Sequence, residues 1–131
     1  MTEECASRDL VRNRVAMPLL WLLPTVAILV AGGFAENRWI ITPTWTGSLL
    51  VMGTACLLNA SGCGRIHCFF TGPFFLAMAG VSLAFGLQFL PLGPNGWQHI
   101  GAALLVGSVV FLFVPEWLWG RYRRTQQKGA T

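Results

Sequence analysis

Charge is what this chain has least of. It carries five acidic and nine basic residues in 131, and charged residues of both signs make up 11% of the total, against about 25% in ordinary soluble domains. No two carboxylates are spaced for general acid–base work, no Ser/His/Asp set is discernible among two histidines, and no glycine-rich phosphate loop occurs. Hydrolase and nucleotide-dependent chemistry have nothing to stand on. Polar stripes at helical spacing are missing too, and these would mark the surface helices of a soluble helical protein.

What fills the chain instead is apolar residue, 54% of the total. Residues 17–35, 47–60, 73–92 and 100–114 contain no Asp, Glu, Lys or Arg. A membrane-spanning helix needs about 20 mostly apolar residues. The expected fold class is therefore all-α, a polytopic membrane protein with four transmembrane helices in one small bundle. The helices should cover about 17–35, 40–60, 73–92 and 97–119, with residues 1–14 and 125–131 as frayed tails. The first run has features of a signal peptide, with Arg8, Arg12 and Arg14 before it and small residues at its end. It exceeds the usual 7–15-residue apolar core of such peptides, which favours a retained helix.

Basic residues set the orientation. With four spans, the two tails and the middle loop share one side, and that side holds eight of the nine basic residues. The positive-inside rule puts both termini in the cytoplasm of a cell whose inner (plasma) membrane the chain crosses. Trp39, Trp45 and Trp97 then fall at the outer boundary, and Trp21, Trp117, Trp119 and Tyr122 at the inner one. Arg121, Arg123 and Arg124 would lie against anionic lipid. The lipid bilayer is the expected partner, with a homo-oligomer or larger membrane complex beside it. Nucleic acid is not, because no folded domain accompanies the basic tail.

Prolines and glycines punctuate the spans. Pro24 should kink the first helix, and Pro43 the start of the second. Gly72 and Pro73 should open the third, with Thr71 as its N-cap. Pro91, Gly93, Pro94 and Gly96 mark the turn before the fourth. The pairs Ala27/Ala31, Gly80/Ala84 and Ala103/Gly107 have the spacing that lets membrane helices approach closely.

Reactive side chains gather in one place. Cys63, Arg65, His67 and Cys68 occupy six positions, and Cys56 stands seven residues upstream. At about 100° per residue a continuous helix would bring Cys63 and His67 within about 20° of Cys56. Ser61, Gly62 and Gly64 disfavour such continuation, so the second helix should stop near Ala60 and Cys63–Cys68 should form a loop or short turn.

Four readings fit these groups. In the plainest, the cysteines pack as small apolar side chains while Arg65 and His67 cap helix ends. In the second, Cys63, His67 and Cys68, with Cys56 as a fourth donor, hold a thiophilic ion such as Hg, Cu or Zn. Their spacing differs from that of zinc fingers. The third is thiol redox chemistry, with Arg65 favouring a thiolate. It lacks a C-x-x-C pair, and the predicted side is a reducing one. The fourth is an anion or lipid-headgroup site formed by Arg65, His67, Thr71 and the free N–H groups at the start of the third helix. Glu116 is expected to pair with Arg121 or Arg65. Asn59 and Ser61 match a glycosylation sequon on the side where it is not used.

The run N-A-x-x-C-G-R-x-H-C-x-x-T-G-P-x-F, from Asn59 to Phe75, resembles a signature of small uncharacterised prokaryotic membrane proteins, a resemblance that implies a membrane fold and no activity. Size and paired thiols are also similar to mercury-resistance inner-membrane transporters. Those carry adjacent cysteines in the first helix, and this chain has none there. The expected function is soft-metal binding or transport at a cytoplasmic-face Cys/His site. The alternative is a non-catalytic accessory subunit of a larger membrane complex. Reporter fusions test the orientation: one placed after Gly96 should read periplasmic and one after Arg124 cytoplasmic. A periplasmic C-terminal reporter would exclude four spans with both termini inside.

Overall fold

The computed structural model describes residues 9–120. Cys5, Arg8, Tyr122 and the basic residues from Arg121 to Lys128 lie outside them. Among the described residues every regular element is a helix: α1 (Pro18–Phe34), α2 (Arg38–Cys63), α3 (Ile66–Gly86) and α4 (Gly96–Trp119). The last three are long and apolar enough to cross a membrane, and α1 is apolar but shorter. The all-helical, four-helix membrane architecture is the one expected.

Helix α1 opens with a wide π-turn over Pro18–Leu22, in which the Leu23 N–H donates to the Pro18 carbonyl. Pro24 follows directly. Its ring would clash with the carbonyl four residues back in a tight α-turn, and the wider turn relieves that. Residues 9–14, the described part of the expected N-terminal tail, are ordered rather than frayed. The Asn13 side chain accepts from the Val15 and Ala16 N–H groups at 3.0 and 3.3 Å, and the Asp9 carbonyl accepts from Arg12 and Asn13.

Helices α2 and α3 form an antiparallel hairpin at the centre of the bundle. On α2 the buried seam is Trp45, Leu49, Met52, Cys56 and Asn59, and on α3 it is Cys68, Thr71, Phe75, Met78 and Ser82. Both follow the alternating four- and three-residue spacing of a heptad seam. Glycines set the distance between the axes. A Cβ on Gly53 would stand 3.1 Å from the Gly72 carbonyl oxygen and 2.9 Å from Leu76. One on Gly72 would stand 2.8 Å from Leu57, and one on Gly86 would collide with Thr42. These are the close-approach positions. Gly80, expected among them, faces open space.

Three boundaries differ from expectation. Helix α3 ends at Gly86, six residues short of Leu92, and Gln88 turns the chain with a φ of 65°. Helix α2 runs three residues past Ala60, through Ser61 and Gly62, and stops only at Gly64, whose φ is 64° and whose N–H donates to the Ala60 carbonyl at 2.8 Å. A glycine within a helix costs about 1 kcal/mol, and the buried seam that precedes it, up to Ala60, outweighs that. Helix α3 starts at Ile66, not at Gly72 and Pro73, so Pro73 is inside it. Thr71 is consequently no cap. It lies buried in the seam, its hydroxyl without a hydrogen-bond partner.

Helix α1 packs on α2, and α4 chiefly on α3. Trp45 is only 5% exposed and is therefore core, not a boundary residue. Its indole N–H donates to the Ile28 carbonyl at 3.1 Å, and its ring meets Trp97 edge-on at 5.4 Å. Gly72→Val should lower thermal stability in detergent by about 1–3 kcal/mol through overpacking. Gly80→Ala should leave it unchanged or raise it. Equal melting temperatures for the two variants would contradict the seam.

Candidate functional site

The reactive residues lie at the end of the hairpin marked by the Gly64 turn. That turn is two residues long, with Gly64 in the left-handed region that favours glycine and Arg65 extended as the N-cap of α3. It fixes which residues of α2 meet which residues of α3. Cys63 ends α2 and is half-buried, while His67 and Cys68 sit in the first turn of α3. The loop expected over these residues is replaced by two helix ends.

Asp9 is the residue that organises this end. It is 2% exposed, and its carboxylate accepts three hydrogen bonds. The Arg65 Nη1 donates to Oδ2 at 2.9 Å, while the Val11 N–H and the Asn59 side-chain amide donate to Oδ1 at 3.0 and 3.1 Å. A buried carboxylate is tolerated when a cation and further donors satisfy it. Asn59 uses both faces of its amide. Its Oδ1 accepts from the Leu10 N–H at 3.1 Å, and its Nδ2 donates to Asp9 and to the Cys68 sulfur, the latter at 3.8 Å. The segment before α1 is thereby tied to both arms of the hairpin.

Behind this network the thiols of Cys56 and Cys68 lie within hydrogen-bonding reach of each other, and the Trp21 indole adjoins Cys56. Both cysteines are buried and neither is in a disulfide. His67 lies beside Cys68 as well, within hydrogen-bonding reach of its thiol. Its Nδ1 is 2.6 Å from Glu116 Oε1, which ties α3 to the far end of α4 just after Pro115. Nε2 is the ring nitrogen that Glu116 does not engage.

The residues named from the sequence are thus divided. Cys56 and Cys68 come together. His67 adjoins Cys68 and also pairs with Glu116 of α4, while Cys63 is at the turn. Among the described residues no three His, Cys, Asp or Glu side chains gather as metal ligands would. Arg65 is engaged by Asp9, so the anion beside the start of α3 is supplied by the chain itself. Glu116 pairs with His67, not with Arg65. Sequence reading missed Asp9, which it left in a tail, and gave Asn59 no structural role. Asp9 does carry a signal: it is a lone acidic residue among Arg8, Arg12 and Arg14.

The network has a measurable weight. Asp9→Ala would leave the Arg65 guanidinium facing a site built for its partner, and removal of one member of a buried ion pair costs about 3–5 kcal/mol. The variant should melt well below the wild type in detergent, and Asp9→Asn should fall between them because it keeps part of the hydrogen bonding. A wild-type melting temperature for Asp9→Ala would mean that the segment before α1 is not held this way.

Comparison of the chain with known protein families, with curated proteins and with solved structures gives no match.

Proposed function

We propose that this chain is a small inner-membrane protein that binds a thiophilic metal ion between Cys56 and Cys68, as a holding or receiving site for its passage, with both termini in the cytoplasm. The observation that carries the reading is the adjacency of two buried thiols across the α2–α3 seam. Thiolates select soft ions, and two sulfurs facing each other suit ions that accept two-coordinate geometry, Cu(I) and Hg(II). Zn(II) normally takes four ligands, or three and a water, and is the poorest fit of the three. Charge separates the other two. Asp9 and Arg65 already balance each other, so two thiolates leave the site neutral with Hg(II) and with one negative charge with Cu(I), which favours Hg(II). Neutrality matters where water is scarce, because an uncompensated charge there is costly.

Cys63, one residue before the turn and less buried, is suited to deliver the ion to the pair. His67, oriented by Glu116 as metal-bound imidazoles are oriented by carboxylates, is suited to a transient contact through Nε2. The rival reading is an accessory subunit of a larger complex. It draws on α4, which leaves Leu105, Val106, Phe113 and Trp117 exposed. Lipid covers such a face as readily as a partner helix does.

Elemental analysis and titration of the purified protein separate these readings. The wild type should retain one Cu(I) or Hg(II) per chain and release protons on binding, since the thiols must ionise. Affinity should therefore fall as the pH is lowered. Cys56→Ser and Cys68→Ser should each abolish stoichiometric retention, and Cys63→Ser and His67→Ala should weaken it less. Retention of metal by the Cys56→Ser, Cys68→Ser double variant would exclude the site. Failure of every form to bind, together with copurification of a larger assembly, would favour the accessory subunit.

A further inference from the structure

At the opposite end of the bundle, where α2 begins and α3 ends, a cavity of about 320 Å³ opens beside the α3–α4 connection. Its walls are Phe85, Leu90, Leu92 and Trp97, and its polar lining is the Arg38 guanidinium and Gln88. No role assigned to the thiol end involves it. Its volume falls within the range of small-molecule sites, which are mostly apolar with a few placed polar groups.

Three features bear on the occupant. The first is depth. Helix α2 starts at Arg38 and α4 at Gly96, so the cavity is level with the ends of the apolar spans, where lipid headgroups lie. Trp39 and Phe89 are widely exposed at the same level, as interfacial aromatics are. The second is charge. Arg38 is the guanidinium in the lining, and its planar fork suits a phosphate. It sits 5.2 Å from the centre of the Trp39 ring. Glu36 and His99, the nearby titratable groups, are exposed and are not part of the lining. The third is backbone conformation. Gln88 has a φ of 65°, a left-handed value that is unusual for a non-glycine residue and recurs where chains clasp ligands.

We propose that this cavity holds the phosphate of an anionic phospholipid headgroup against Arg38, with the glycerol and first acyl carbons along Phe85, Leu90, Leu92 and Trp97. A free phosphate monoester shares the headgroup chemistry but would leave those apolar walls bare. The binding is independent of the metal reading and of which side of the membrane this end faces.

Native mass spectrometry of the full chain tests it. In detergent supplemented with phosphatidylglycerol, the wild type should retain one lipid, and with phosphatidylcholine none. Arg38→Gln should lower retention about fivefold, and Arg38→Lys should restore part of it. Leu92→Trp, which fills the cavity without touching the charge, should also lower it. Arg12→Gln, an exposed cation at the other end, should behave as the wild type. Glycerol phosphate alone should not compete. Equal retention of phosphatidylcholine, or an unchanged Arg38→Gln, would overturn the proposal. Loss in Arg12→Gln equal to that in Arg38→Gln would reduce it to non-specific charge attraction. Full competition by glycerol phosphate would make this a site for soluble phosphates and not for lipid.

Discussion

The α2–α3 hairpin depends on how closely two backbones approach at Gly53 and Gly72. There a methyl group on either helix would press on the other's carbonyl or leucine side chain. In a bilayer no hydrophobic force draws helices together, because lipid tails are as apolar as the side chains they replace. Shape has to supply the attraction, and a glycine contact supplies it by letting long stretches of seam touch. From that contact the heptad register follows in both directions, toward Trp45 and Ser82 at one end and toward Asn59 and Cys68 at the other. Helix α1 is then held through Trp45, whose indole reaches the Ile28 carbonyl, and α4 is placed by Trp97 and by Phe74 packing into the space over Gly107.

The buried ion pair and its hydrogen-bond network lie where that register ends. Asp9, Arg65 and Asn59 are joined by four hydrogen bonds or ion-pair contacts that include the backbone of the two residues after Asp9. In apolar surroundings a half-satisfied network would be worse than none. The Arg65 guanidinium and two further donors permit the Asp9 carboxylate to be buried near two thiols, and keep its charge from reaching them unbalanced. The same arrangement explains why Cys68, fully buried, is held by an amide instead of by a hydrocarbon neighbour. A second carboxylate, Glu116, is used separately, on His67, to join α4 to the hairpin. The two ends of the molecule are therefore of different kinds: a closed polar network around thiols at one, and an open apolar cavity with a single guanidinium at the other.

The number and rough position of the spans are determined by the sequence alone, because hydropathy is a local sum. Every stretch of about 20 apolar residues must form a helix in lipid, whatever its neighbours do, since its backbone groups have no water to bond. The cluster at Cys63–Cys68 was equally plain, as reactive groups stand out in an apolar chain. Which thiol meets which was decided by tertiary structure. A helical wheel pairs Cys56 with Cys63 and His67 only if one helix runs through all three, and Gly64 ends that helix at a point that composition does not mark against Gly62. The start of α3 was likewise hidden, since Pro73 carries the usual signal of a first turn and the seam overrode it. Asp9 looked like tail until the hairpin brought Asn59 and Arg65 within reach, about fifty residues away along the chain. Contacts of that separation depend on register across a turn, and register is a property of two packed faces that neither face carries by itself.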